Sequence, residues 1–337
     1  SQPLHGELAG ARSCREFTVQ WLGRPGPRFQ SDRGNRKPAP LFANGRLFAQ
    51  GLDRFMALDA DNGAVLWHLQ EFWGGDYWYT AAEGPLAANV CSRSLFAIDV
   101  PGGREVWRRA GTIVDTSVAI ADGRVLFVDL PTAEGGRIDD AAIWDGARLE
   151  AVAASDGRTL WERPLDLGRA ATMFSLACGG GRVVAVASRR GEYAVGVWNA
   201  SDGSPAWRTT FPWEAVGKGG DSARPAIVDG VLYVSPKSFD LATGRELPAI
   251  VRRGACGSYA ATSHAFLTRL GSLGLWDPVG QRATTWERLR PDCWLSAIPA
   301  GGMILAPEGG GGCSCGGWLE TSIAFAPVRA ADRPESP

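Results

Sequence analysis

The chain is predicted to be all-β, a seven-bladed β-propeller of four-stranded antiparallel blades in which an N-terminal strand joins the last blade. Three observations predict it. One hairpin recurs along the chain, its copies fall at intervals of propeller-blade size, and the two ends of the chain carry complementary halves of one further copy.

The hairpin is plainest at residues 57–67, Ala-Leu-Asp-Ala-Asp-Asn-Gly-Ala-Val-Leu-Trp. An alternating apolar run reads as a strand, Asp-x-x-x-Gly as a tight turn, and the last residues as a second strand closed by Trp67. Copies occupy 97–107, 151–161 and 197–207. The copy at 238–248 keeps the turn but ends in Pro248, and the copy at 275–286 recovers Trp286 through an irregular turn. The terminal positions 67, 107, 161, 207, 248 and 286 lie roughly 38 to 54 residues apart, the interval of units that stack to bury a shared core.

The seventh unit is split. Glu16 to Trp21 reads as a second arm without a first, and Thr321 to Pro327 as a first arm that stops. Pairing them closes a ring and leaves no long exposed sheet edge. Within a unit the two inner strands are marked by Asn44-Gly45, Asp122-Gly123, Gly180-Gly181, Asp229-Gly230 and Gly301-Gly302 between apolar runs, the pairs that suit two-residue hairpin turns. Residues 15–328 are therefore expected to form one propeller domain, with an irregular segment at 1–14 and a disordered tail at 329–337.

Composition agrees with many tight turns and few helices: 44 Gly and 21 Pro in 337 residues, 45% hydrophobic and 21% charged. The net charge of −1 gives no electrostatic reason to expect nucleic acid as a partner. No run approaches the ~18 apolar residues of a membrane-crossing helix. Seven Cys against three His favours the oxidising side of a membrane, periplasmic or extracellular, with a leader removed before Ser1 or a longer parent chain. A monomer, or a part of a larger chain, is expected.

In an up-and-down blade, the turns joining strands one and two and strands three and four lie on one face of the disc. These are the minimal turns. The long segments 22–38, 70–80, 130–148, 211–223 and 307–320 all fall at links that emerge on the other face, so that face is where a site is expected.

The motif Ala-x-Asp-x-x-x-Gly-x-x-x-Trp resembles the repeat of pyrroloquinoline-quinone (PQQ)-binding-like propellers, the quinoprotein alcohol dehydrogenase-like superfamily, which includes BamB-type outer-membrane assembly factors. The likeness covers residues 16–327. Trp21 to Gly26, Asp32-Arg33, Phe72 to Gly75, Arg290 to Trp294, Ile298 to Gly302 and Gly312 to Cys315 are also similar to a group of bacterial exported propeller proteins. In that group His follows the Asp-Arg pair and a His-rich segment precedes the fifth blade; this chain has Gly34 and Gly217-Lys218-Gly219-Gly220-Asp221 at those places. The superfamily's fold serves enzymes and scaffolds alike.

Three clusters are candidates for function. Cys256 and Cys293 precede the innermost strands of blades six and seven, and Cys313 and Cys315 lie in the long loop of blade seven. They read as two disulfides, or else as a thiolate metal site, although Cys-x-Cys is not the usual zinc spacing. Cys14, Cys91 and Cys178 lack evident partners. Trp73, Tyr77, Trp78 and Tyr79, with Trp213 and Trp294, could floor a pocket for a sugar, a quinone or an aromatic side chain, or plug the channel. Arg24, Arg28, Arg33 and Arg36 could clamp an anionic group, or pair with nearby acids such as Glu71, Asp76, Asp139 or Asp140.

No Gly-x-Ser-x-Gly, His-Glu-x-x-His or phosphate-binding loop is present, and no catalytic residue or metal site is assigned. The resemblance implies, for its enzyme members, PQQ stacked on a ring formed by adjacent cysteines and calcium beside an Asp base; this sequence has no adjacent Cys pair. The expected function is a non-catalytic scaffold offering its loop-rich face to a protein or glycan, with no cofactor. The alternatives are a PQQ- and calcium-dependent or other metal-dependent oxidoreductase, and the propeller remnant of a larger enzyme.

Overall fold

The computed structural model describes residues 17–22, 41–51, 54–69, 79–83, 86–91, 94–131, 141–167, 171, 173–189, 191–213, 222–254, 258–287, 289, 297–306 and 323–327. The expected end segments 1–14 and 329–337 lie outside them. The described residues form seven four-stranded antiparallel sheets. Numbered as blades along the chain, and given by innermost and outermost strand, blade 1 runs from Leu41–Ala43 to Val65–Leu69, blade 2 from Tyr79–Glu83 to Glu105–Ala110, and blade 3 from Ala119–Ala121 to Thr159–Pro164. Blade 4 runs from Met173–Gly179 to Pro205–Pro212, blade 5 from Ala226–Val228 to Glu246–Leu247, and blade 6 from Tyr259–Ala261 to Arg282–Trp286. Blade 7 begins with Ile298–Ala300 and has the N-terminal strand Phe17–Leu22 outermost.

That last pairing joins the chain's two ends: Val19 lies opposite Phe325, Trp21 opposite Ala324 and Leu22 opposite Ile323, with the register shifting between Val19 and Trp21. The innermost strand of blade 1 touches those of blades 2 and 7. Along each sheet the pattern changes with depth. The innermost strand of blade 4 is buried over Met173–Cys178, whereas its outermost strand alternates towards solvent.

The core lies between blades rather than at one centre. Phe48 and Phe55 of blade 1 pack with Phe96 and Ile98 of blade 2, and Val184 and Tyr193 of blade 4 with Leu232 and Phe239 of blade 5. Leu47 of blade 1 shares a cluster with Leu267 of blade 6 and Ile304 of blade 7. Each wedge therefore buries both of its faces only when its neighbours are present, which is why the unit must repeat.

The recurrent tryptophan is the latch between wedges. Trp67 Nε1 donates to the Val100 carbonyl at 2.8 Å, Trp107 to Ala154 at 2.7 Å, Trp161 to Ala200 at 3.0 Å and Trp207 to Leu241 at 2.9 Å, each carbonyl belonging to the turn of the next blade. The turn glycine supplies the landing. Gly157 has φ +71°, and a Cβ there would sit 2.8 Å from the Trp107 ring. Within the same face, the amide after the turn aspartate reaches back to the inner hairpin: Ala60 N donates to Gly45 O at 3.1 Å and Leu241 N to Gly230 O at 2.9 Å.

Candidate functional site

The repeated hairpins make the disc two-sided. The face carrying the Asn-Gly and Asp-x-x-x-Gly turns is tied together by short backbone bonds, so little of it is left to vary. The opposite face receives the links between blades and between strands two and three. In blade 3 the latter contains a 3-10 turn at Ala141–Trp144, whose Trp144 ring packs against Phe174 with centroids 5.2 Å apart.

On this face blades 4, 5 and 6 meet where the chain enters the inner strand of blade 5. Two buried tyrosines hold that entry. The Tyr193 hydroxyl accepts from Ala223 N at 2.9 Å and lies 3.4 Å from Arg253 Nη2. The Tyr259 hydroxyl accepts from Ser235 N at 3.2 Å and donates to the Arg224 carbonyl. Arg224 and Arg253 are 7% and 4% exposed, so two basic residues are buried at this entry. The hydroxyls of Thr116 and Ser258, just ahead of the innermost strands of blades 3 and 6, are buried with no hydrogen-bond partner among the described residues.

Trp213 stands at the edge of this region. Its indole N–H donates to the Glu192 carbonyl at 2.7 Å, its backbone N–H to Gly191 at 2.8 Å, and its ring tilts against Tyr193 with centroids 6.5 Å apart. Half-buried, it clips the loop between strands two and three of blade 4 to the link that follows. Tyr79 opens the innermost strand of blade 2, opposite Val90. Trp73, Tyr77, Trp78, Trp294, Arg24, Arg28, Arg33, Arg36, Cys256, Cys293, Cys313 and Cys315 lie outside the described residues, as do Cys14, Asp139 and Asp140. Cys178 is buried in the innermost strand of blade 4.

Acidic groups lie between blades 2 and 3. Asp129 ends a strand at the loop-rich face and accepts from Thr112 N at 2.9 Å. Burial pushes its carboxyl above the usual range, against the pull of that amide and of Arg148. Glu150 is 4% exposed and pairs with Arg109 at 3.2 Å. Burial raises its carboxyl too, Arg109 opposing and Asp129 adding to the rise. Arg109 also donates to Gly157 O and Thr159 Oγ1, so it serves as a second tie between blades 2 and 3. Among the described residues no three His, Cys, Asp or Glu side chains converge as metal ligands would, and no helix is long and apolar enough to cross a membrane.

Tyr193, Tyr259, Arg224 and Arg253 carry no sequence signal that singles them out. They lie outside the repeated hairpin, and their importance comes from the blade contacts that bring residues 193, 223 and 253 together.

The family described as outer membrane protein assembly factor BamB matches residues 145–247, from the third strand of blade 3 through blade 5. No curated protein sequence matches the chain. Among solved structures, a protein chain in the mitotic checkpoint complex is similar at 10% identity over 94% of both chains, with a TM-score of 0.60. BamB from Moraxella catarrhalis aligns over 84% of this chain and 80% of its own at 14% identity and a TM-score of 0.47. The computationally designed Ika8 protein aligns over 97% of this chain and all of its own at 12% identity and a TM-score of 0.47.

Proposed function

We propose that this chain, a β-propeller of PQQ-like repeats of the BamB type, works as a non-catalytic scaffold on the outer side of a bacterial membrane, with a closed seven-bladed ring presenting its loop-rich face to a protein partner. The observation that carries the reading is the inequality of the two faces. One is used up by turns that bond to one another and receive the latches, and the other is the face at which the described strands flanking the longer links end. The match of residues 145–247 to a family of assembly factors favours a protein over a glycan as the occupant.

Photo-crosslinking from the loop-rich face, with the probe at Pro212, set against the plain face, with the probe at Asn62, tests this in the native envelope. Both positions are exposed. A discrete adduct from Pro212 and none from Asn62 is expected. Adducts from Asn62 alone, or from neither, would refute the choice of face. Cofactor absorbance and alcohol-dependent dye reduction after adding PQQ and calcium would refute the non-catalytic role.

A further inference from the structure

The outermost strand of each blade is an open sheet edge, and an open edge pairs with other chains unless something blunts it. Most edges of this disc are blunted by a β-bulge. In blades 1, 2, 3, 4 and 7 the register against the third strand shifts, and the residue left over is always the one before the recurrent tryptophan: Leu66, Val106, Leu160, Ala206 and Gln20. A bulge bends the strand and spoils it as a template. Proline adds to this at Pro164 in blade 3 and at Pro205 and Pro212 in blade 4. Blade 5 reaches the same end by shortness, its outermost strand being only Glu246–Leu247.

Blade 6 has none of these devices. Its outermost strand, Arg282–Trp286, pairs with the third strand without a shift, from Leu273 opposite Trp286 to Asp277 opposite Arg282. It contains no proline, and Arg282 is its one charged residue. Residues 282–285 are all exposed, and the sheet ends there. Apolar surface flanks this edge. Val279, 85% exposed, stands in the turn that leads into the strand. Ile250, 40% exposed, accepts through its carbonyl the indole N–H of Trp276, which lies opposite Ala283.

The strand is also self-complementary. Laid antiparallel on a second copy with Thr284 at the two-fold axis, Thr284 faces Thr284, Ala283 faces Thr285 and Arg282 faces Trp286, so hydroxyls meet and no like charges are opposed. A two-fold interface requires such a match, because one patch serves both subunits. We propose that the edge of blade 6 is a docking site for a second copy of this chain, the two outermost strands pairing antiparallel about Thr284 into one continuous sheet. One short ladder makes a small interface, so the dimer is of the weak, concentration-dependent kind.

Sedimentation velocity on the intact protein tests it. The wild type is expected to pass from monomer to dimer as its concentration rises to roughly 100 μM, the range in which a micromolar dimer fills. Thr284→Lys and Thr284→Glu each oppose like charges at the axis and are each expected to weaken the dimer about tenfold, whereas an equal mixture of the two restores it. Thr210→Lys, at an exposed position on the bulged edge of blade 4, is expected to leave the dimer unchanged. A wild type that stays monomeric overturns the proposal, whether or not the variants fold. So does a dimer that both Thr284 variants leave intact, or that Thr210→Lys weakens as strongly. Capture of a foreign strand at this edge by a monomeric wild type would overturn the choice of occupant.

Discussion

Trp107 does two things at one place: its ring covers Gly157, and its N–H satisfies the Ala154 carbonyl at 2.7 Å. The two can be separated. Trp107→Phe keeps a ring but leaves a buried carbonyl without its donor, which costs about 1–3 kcal/mol. Gly157→Ala keeps the donor but places a methyl group 2.8 Å from the ring on a backbone at φ +71°, which costs about 2–4 kcal/mol. Denaturant midpoints of the two variants are expected to fall in that order, and their double variant less than additively, because both act on one contact. An additive result would show that ring and glycine are energetically separate.

At the scale of the hairpin, the turn aspartate does the local work. Asp240 Oδ1 accepts from Thr243 Oγ1 at 2.7 Å and from Thr243 N at 2.8 Å. These bonds hold its carboxyl below the usual value, the Thr243 hydroxyl contributing most, and the Ser204 bonds lower Asp202 in the same way. A lowered folded pKa means that the carboxylate's contribution is present above the ordinary value of 3.8 and is lost as pH falls through the lowered one. Thr243→Ala is therefore expected to lower Tm by a constant amount above about pH 5, with the gap closing towards pH 3. A gap independent of pH would assign the loss to packing.

The turn elements were also the legible ones. Asp-x-x-x-Gly and Asn-Gly pairs mark positions where the backbone needs φ > 0, as at Asn44, Asp122 and Asp229, and such needs are written in residue type. Blade 2 was harder to read. Tyr79–Glu83 and Leu86–Cys91 are rich in alanine, a weak strand former, and no Asn-Gly or Asp-Gly pair separates them. The irregular turn of blade 6 and Pro248 were visible as departures, but the bond from Trp276 to Ile250 that spans this joint was not, because it lies in a contact between blades.

For the whole molecule, the last blade is completed by one strand supplied by the far end of the chain, paired from Phe17–Pro327 to Leu22–Ile323. Should Cys256, Cys293, Cys313 and Cys315 form the expected disulfides, they would add a second closure at blades 6 and 7, and reductant is expected to lower Tm by several degrees, with each bridge worth about 2–5 kcal/mol. A Tm that falls with chelator and not with reductant would assign the thiols to a metal instead.

Composition and repeat alone determine that this protein is built of wedges whose inner and outer hairpins turn on one face, because turn chemistry and strand alternation are local and act over a few residues. Which wedges the repeated tryptophan latches, why Trp276 bonds Ile250 at the joint of blades 5 and 6, and why Tyr193, Ala223 and Arg253 meet at one rim are settled only in three dimensions. Those outcomes rest on contacts between neighbouring blades, and no single repeat contains the residue it touches.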